Sequence, residues 1–146
     1  MSGKSREGHG ALIYASGRVY EGDWKDNKRN GKGFELYTTG SKYQGQFKDN
    51  KPNGKGVFTW VNGEIYDGDW KMGVKKGFGI WKGAKGESYI GEWQDSRPEG
   101  YGVHQWKNGD RYEGDWVQGQ KCGQGSDYFA NGDTLEGIHK NGKPHG

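Results

Sequence analysis

The sequence predicts an all-β protein, a single elongated antiparallel sheet of stacked β-hairpins with no helix of note. Three observations predict it. Tyr20, Tyr43, Tyr66, Tyr89 and Tyr112 recur at one fixed spacing of 23 residues, the signature of a repeat array. Each opens the pattern Tyr-x-Gly-x-aromatic, closed by Trp24, Phe47, Trp70, Trp93 and Trp116, and a period of two sets both rings on one face of a strand. Turn signals fall twice in every period, so strand must follow strand in a meander.

Composition agrees with a thin sheet. Of 146 residues 30 are Gly, only 29% are hydrophobic and 14% are aromatic, so the core must be built from Trp, Tyr and Phe rings. So many rings also argue against disorder. Within one period, strand one begins at a Gly-x-Gly pair, as in Gly54 and Gly56 of "GKGVFTW". A small residue and Gly then make a hairpin turn, as at Asn62 and Gly63. Strand two is "EIYDGDWK", with Tyr66, Gly68 and Trp70 on one face and Asp67 and Asp69 on the other. The glycine between the rings leaves space for a ring to lie over the backbone. The links "KDNKRNG", "KDNKPNG" and "QDSRPEG" form the second turn, where Asn27, Asn50, Gly73, Ser96, Gly119 and Gly142 are mostly types that tolerate positive φ. This divides the chain into a lead-in, residues 1–7, and an array, 8–146, with units at about 8–30, 31–53, 54–76, 77–99, 100–122 and 123–146.

A Tyr-x-Gly-x-Trp strand, a turn and a Gly-x-Gly pair on this period resemble the MORN repeat (membrane occupation and recognition nexus). The resemblance covers Gly8 to Gly146 and implies a twisted sheet of stacked hairpins. It also implies a scaffold role in cytoskeletal, ciliary or cortical structures, or a membrane-surface role. The last unit departs from the pattern, with Leu135 and His139 in the tyrosine and tryptophan columns. It reads as a cap or as a diverged copy, and "KPHG" after it resembles the start of a seventh unit.

Catalytic constellations are absent from the sequence, and the four histidines show no metal-ligand spacing. The expectation is a protein that is not an enzyme and needs no cofactor or metal. A formal charge of +3, from 22 basic and 19 acidic residues, makes no case for nucleic acid. The lone Cys122, the lack of a long apolar window and the polar "MSGKSREGHG" start point to the cytoplasm. In a one-layer sheet the ladder Tyr20, Trp24, Tyr43, Phe47, Tyr66, Trp70, Tyr89, Trp93, Tyr112 and Trp116 should be only partly covered. It is therefore the expected groove for a helix or extended segment of a protein partner. Basic residues at the inter-repeat turns, Lys28, Arg29, Lys51, Lys75, Lys76 and Arg97 among them, form a rim suited to anionic phospholipid headgroups. The acidic residues of strand two, Asp23 and Glu92 included, read as a solvated face. An open final strand from Leu135 to His139 offers unpaired backbone groups for self-association.

Overall fold

Alternating side chains and closely spaced turns give strands of six to nine residues from the first strand to the twelfth, and a thirteenth of three. The structure is a computed structural model and describes residues 7–140 and 143–145. Two compact units divide the chain, the first ending at Val74 and the second beginning at Lys75. The first holds β1 (Gly8–Ile13), β2 (Val19–Lys25), β3 (Lys28–Leu36), β4 (Lys42–Lys48), β5 (Lys51–Thr59) and β6 (Ile65–Lys71). In the second are β7 (Val74–Lys82), β8 (Ser88–Gln94), β9 (Arg97–Gln105), β10 (Arg111–Val117), β11 (Gln120–Tyr128), β12 (Thr134–Lys140) and β13 (Lys143–His145). Within each unit strand order follows chain order and the pairing is antiparallel. The all-β hairpin architecture is the one the repeat spacing predicts, and no helix occurs among the described residues.

The two turns of each repeat differ, and in the opposite sense to the strongest sequence signal. At the inter-repeat links both residues have positive φ, as at Asp26 and Asn27 (51° and 66°) and at Asp95 and Ser96 (51° and 65°). Two such residues between paired strands make a type I′ turn, whose twist matches that of the sheet. At the Asn-Gly turns only the glycine, such as Gly63 at 99°, has positive φ. Its amide donates to the Trp60 carbonyl at 3.0 Å, the pattern of a longer loop closed by one left-handed glycine. The residue before that glycine stabilises the loop: Asn62 Oδ1 accepts the Glu64 amide and Asn108 Oδ1 the Asp110 amide. Gly142 lies outside the described residues.

The Gly-x-Gly pairs serve two separate needs in most repeats. Between the pairs Gly22 with Gly33 and Trp24 with Arg29, three residues of β3 face the single Asp23 of β2. That bulge places Gly31 at φ 93°, and Gly54, Gly77, Gly100 and Gly123 also have positive φ. The second glycine is a floor. A Cβ on Gly33 would overlap the ring of Tyr20, and one on Gly56, Gly102 or Gly125 the ring of Tyr43, Tyr89 or Tyr112. The glycine inside Tyr-x-Gly-x-Trp is confined differently, since a Cβ on Gly22 would strike the paired Gly33 backbone.

The strand expected to be an open edge is partly covered. Residues of the "KPHG" segment form β13, which pairs with β12 at Ile138, His139 and Lys140. The start of the next repeat copy thus folds back as a strand where an edge was expected.

One column contains its own control. Gly10 has only the Trp24 indole nearby, at 3.7 Å, and no tyrosine ring above it, whereas Gly56 lies under Tyr43. Urea unfolding should show Gly56→Ala destabilised by about 3 kcal/mol or more, and Gly10→Ala by under about 0.5 kcal/mol. Equal effects would contradict the floor role.

Candidate partner-binding face

The face that carries the repeated rings, here the inner face, is built as a ladder. Tyr20 meets Trp24 edge-on at 5.1 Å and 81°, and Phe47 of the following repeat at 5.1 Å and 87°. Tyr43 is held in the same way by Phe47 and Trp70, and in the second unit Tyr89 by Trp93 and Trp116. These geometries suit the ring quadrupoles. The polar tips are used internally. Tyrosine hydroxyls donate to the carbonyls of Asp23, Gln46, Asp69, Glu92 and Asp115 at 2.8–3.2 Å. Trp24, Trp70, Trp93 and Trp116 donate their indole N–H to Gly10, Gly56, Gly79 and Gly102 carbonyls.

The expectation of partial coverage is therefore corrected. Tyr20, Tyr43, Tyr66, Tyr89 and Tyr112 are 0–1% exposed, and Trp24, Phe47, Trp70, Trp93 and Trp116 are 3–8% exposed. Rings clamped edge-on from two repeats, over a glycine floor, need no second sheet to be covered. Burial pushes the Tyr20 and Tyr112 phenols up to about 12, helped by the Asp23 and Asp115 carboxylates. It raises Tyr43, Tyr66 and Tyr89 as well.

The inner face presents part of a different column to solvent, its members Leu12, Phe58, Trp81 and His104, while Glu35 and Asp127 are buried. Residues paired directly with the tyrosines are Leu12, Glu35, Phe58, Trp81, His104 and Asp127. In the first unit Phe58 packs on Trp60 at 4.5 Å and on Tyr37 at 5.7 Å. In the second, His104 lies 4.4 Å from Trp106 and stacks with Trp81 at 6.3 Å. Trp81, His104 and Trp106 are half-buried. With Lys75, Pro98 and the buried rings beneath, they line a recess of about 400 Å³.

Two members of this column centre ionic clusters. Glu35, 2% exposed, takes the Arg29 guanidinium at 2.6 Å and the Arg18 Nε at 3.1 Å. Asp127 takes Lys121 at 2.8 Å.

Comparison with known proteins fits this geometry. The MORN repeat model matches five consecutive stretches, 20–42, 43–65, 66–88, 89–111 and 112–134. The chain belongs to the MORN-repeat family. The family repeat runs from tyrosine to tyrosine, so it counts five copies where the Gly-x-Gly phase counts six, and residues 1–19 and 135–146 lie outside the matches. No curated protein matches the chain as a relative. Among solved structures it is similar to the TCP domain of Drosophila melanogaster SAS-4 (dCPAP), solved in complex with a proline-rich motif of Ana2 (dSTIL). The identity is 14%, the match covers 91% of this chain and 73% of that one, and the TM-score is 0.55. At that identity the likeness concerns the fold.

The MORN turns also form side-chain ladders. Glu7, Asn30, Asn53 and Glu99 accept the first amide of the following inter-repeat turn, at Asp26, Asp49, Met72 and Gln118. The ladder thus reaches Glu7, in the expected lead-in. Asp23 and Glu92 accept the bulge amides of Lys32 and Tyr101, so these two carboxylates hold the MORN bulge as well as face water.

Of the expected lipid contacts, Lys28 and Lys51 stand exposed in the first unit, each directly opposite another lysine, Lys25 and Lys48. Lys76 and Arg97 are exposed in the second. Arg29 does not belong with them. It is buried against Glu35, donates to the Asn50 carbonyl at 2.7 Å and lies 5.4 Å from the Tyr20 and Phe47 rings. Lys75 likewise turns inward, 5.4 Å above Trp93. Arg29, Pro52, Lys75, Pro98 and Lys121 are one repeat position, and the two prolines among its cations are the sequence signal that it faces the rings.

Phe58, Trp81 and His104 went unnoticed in the sequence because Glu35 and Asp127 break their column. Among the described residues no group of three His, Cys, Asp or Glu side chains is placed to hold a metal. Burial lowers the His104 pKa from 6.5, with Glu87 opposing and Lys121 assisting. The folded chain thus resists protonation at a pH where the unfolded chain accepts it. Stability from this residue should fall as pH drops from about 6.5 toward the folded value, and level off beneath it. Unfolding midpoints measured across that range should show a smaller slope for His104→Gln than for the parent; equal slopes would contradict the assignment.

Proposed function

We propose that this MORN protein is a non-enzymatic scaffold that binds an extended or helical protein segment along the half-buried aromatic column. The observation that carries the reading is the recess over Trp81, His104 and Trp106. Half-covered rings bury area on binding at small entropic cost, the property of interface anchors, while the Tyr-Trp ladder beneath supplies a rigid floor. The solved TCP domain of similar fold, bound to a proline-rich motif, supports an extended segment, since a preformed polyproline helix suits an aromatic-lined groove. The setting we propose is cytoplasmic, in cytoskeletal, ciliary or cortical assembly, with self-association through sheet ends as a further means of building such structures.

A second reading, binding of anionic phospholipid, is favoured by the exposed pairs Lys25 with Lys28 and Lys48 with Lys51. Four clustered cations attract an anionic surface at about 1 kcal/mol each before screening. The adjacent Asp26 and Asp49 reduce that attraction.

The two readings separate experimentally. Trp81→Ala with Trp106→Ala should leave the circular dichroism intact and abolish retention of protein partners in an affinity pull-down from native lysate. Undiminished retention would contradict the scaffold reading. Lys28→Glu with Lys51→Glu should leave that retention unchanged and abolish salt-sensitive flotation on phosphatidylserine vesicles if the lipid reading holds; flotation that persists in both respects rejects it.

A further inference from the structure

The opposite face of the sheet, the outer face, carries a second feature in the second unit. Repeat symmetry supplies the comparison. The position held by His9, Lys32 and Lys55 becomes Phe78 and Tyr101, and the position held by Glu21, Gln44 and Asp67 becomes Ile90. Phe78, Ile90 and Tyr101 are 51%, 43% and 55% exposed. They are not scattered. Ile90 pairs with Ile80 on β7 and with Val103 on β9, and Phe78 and Tyr101 lie on those same two strands. Three apolar residues at positions that are wet in the first unit thus complete one patch across β7, β8 and β9.

Acidic residues stand within that patch and beside it. Phe78 pairs with Glu92, Val103 with Glu113 and Tyr101 with Asp115. Beyond them a groove of about 510 Å³ runs from Tyr101 over Gly114, Gly125 and Gly137, between Glu113 and Glu136. Arg111 pairs with Glu113 at 2.7 Å. Among the described residues no lysine or arginine pairs with Glu92, Asp115 or Glu136. A contiguous exposed apolar patch marks an interaction site, and complementarity fixes the sign of what fits it.

We propose that this outer face docks a protein segment in which two or three apolar side chains adjoin a run of lysine or arginine. The apolar side chains sit on Phe78, Ile90 and Tyr101. The basic ones extend along the glycine floor, where the absence of side chains lets long stems reach Asp115 and Glu136. This surface is separate from the inner-face recess and does not depend on it.

The test is selection of a displayed random peptide library on the intact chain, with counter-selection on Phe78→Lys, Ile90→Gln, Tyr101→Lys. These substitutions restore residues found at the same repeat position, so the circular dichroism and melting midpoint should be unchanged. Enriched peptides should combine apolar residues with Lys or Arg and bind the triple variant at least about tenfold more weakly. Asp115→Asn with Glu136→Gln, which leaves the apolar patch intact, should weaken the same peptides about threefold or more and reduce the salt dependence. Absence of patch-dependent peptides, or enrichment of neutral or acidic ones, would overturn the proposal. So would sedimentation showing a dimer that the triple variant abolishes, which would make a second copy the occupant. Flotation on phosphatidylserine vesicles that the triple variant abolishes would overturn it in favour of a membrane.

Discussion

A tyrosine ring lying on the bare backbone of the next strand is the contact on which the rest depends. With the Tyr43 hydroxyl bonded to the Gln46 carbonyl and its ring over Gly56, the ring lies close against the sheet. Only then do Phe47 and Trp70 meet it edge-on from two successive repeats. The glycine column, the bulge that needs Gly54 at positive φ and the spacing of the two aromatics all serve this placement. Aliphatic side chains could not replace the rings, because the carbonyls they satisfy and the edge-on contacts they make both require aromatic rings with polar edges.

That constraint divides the labour of the inner face. The conspicuous repeated rings are consumed by the fold, down to their polar atoms. Recognition falls to the column paired with the tyrosines, where the repeat tolerates Glu35, Phe58, Trp81, His104 and Asp127. A column that varies from copy to copy gives each repeat its own surface on a common floor. In the first unit it holds a buried ionic cluster, and in the second an aromatic recess. The outer face follows the same logic, with polar residues at the two compared positions throughout one unit and apolar ones at Phe78, Ile90 and Tyr101 in the other.

The sequence alone was sufficient for the repeated strands, their order and the face of each ring, because periods of two and 23 residues are visible without any knowledge of contacts. Reading burial failed for a geometric reason. A one-layer sheet suggests exposed rings, and only the edge-on clamp between repeats, invisible along the chain, covers them. The basic rim was misread at Arg29 and Lys75 because a type I′ turn sets the residue that follows it by two on the inner face. The Gly-x-Gly pair was recognised as structural, but its two duties, a bulge and a floor, became separable only with the register in view.

Coupling between neighbouring repeats through Tyr43 and Trp70 is the most direct measure of this account. In a double-mutant cycle, Tyr43→Leu and Trp70→Leu would be compared singly and together by urea unfolding. An edge-on contact across the repeat boundary predicts a coupling energy of about 0.5–1.5 kcal/mol. Strictly additive losses would contradict it, and would leave each hairpin standing without the ring of its neighbour.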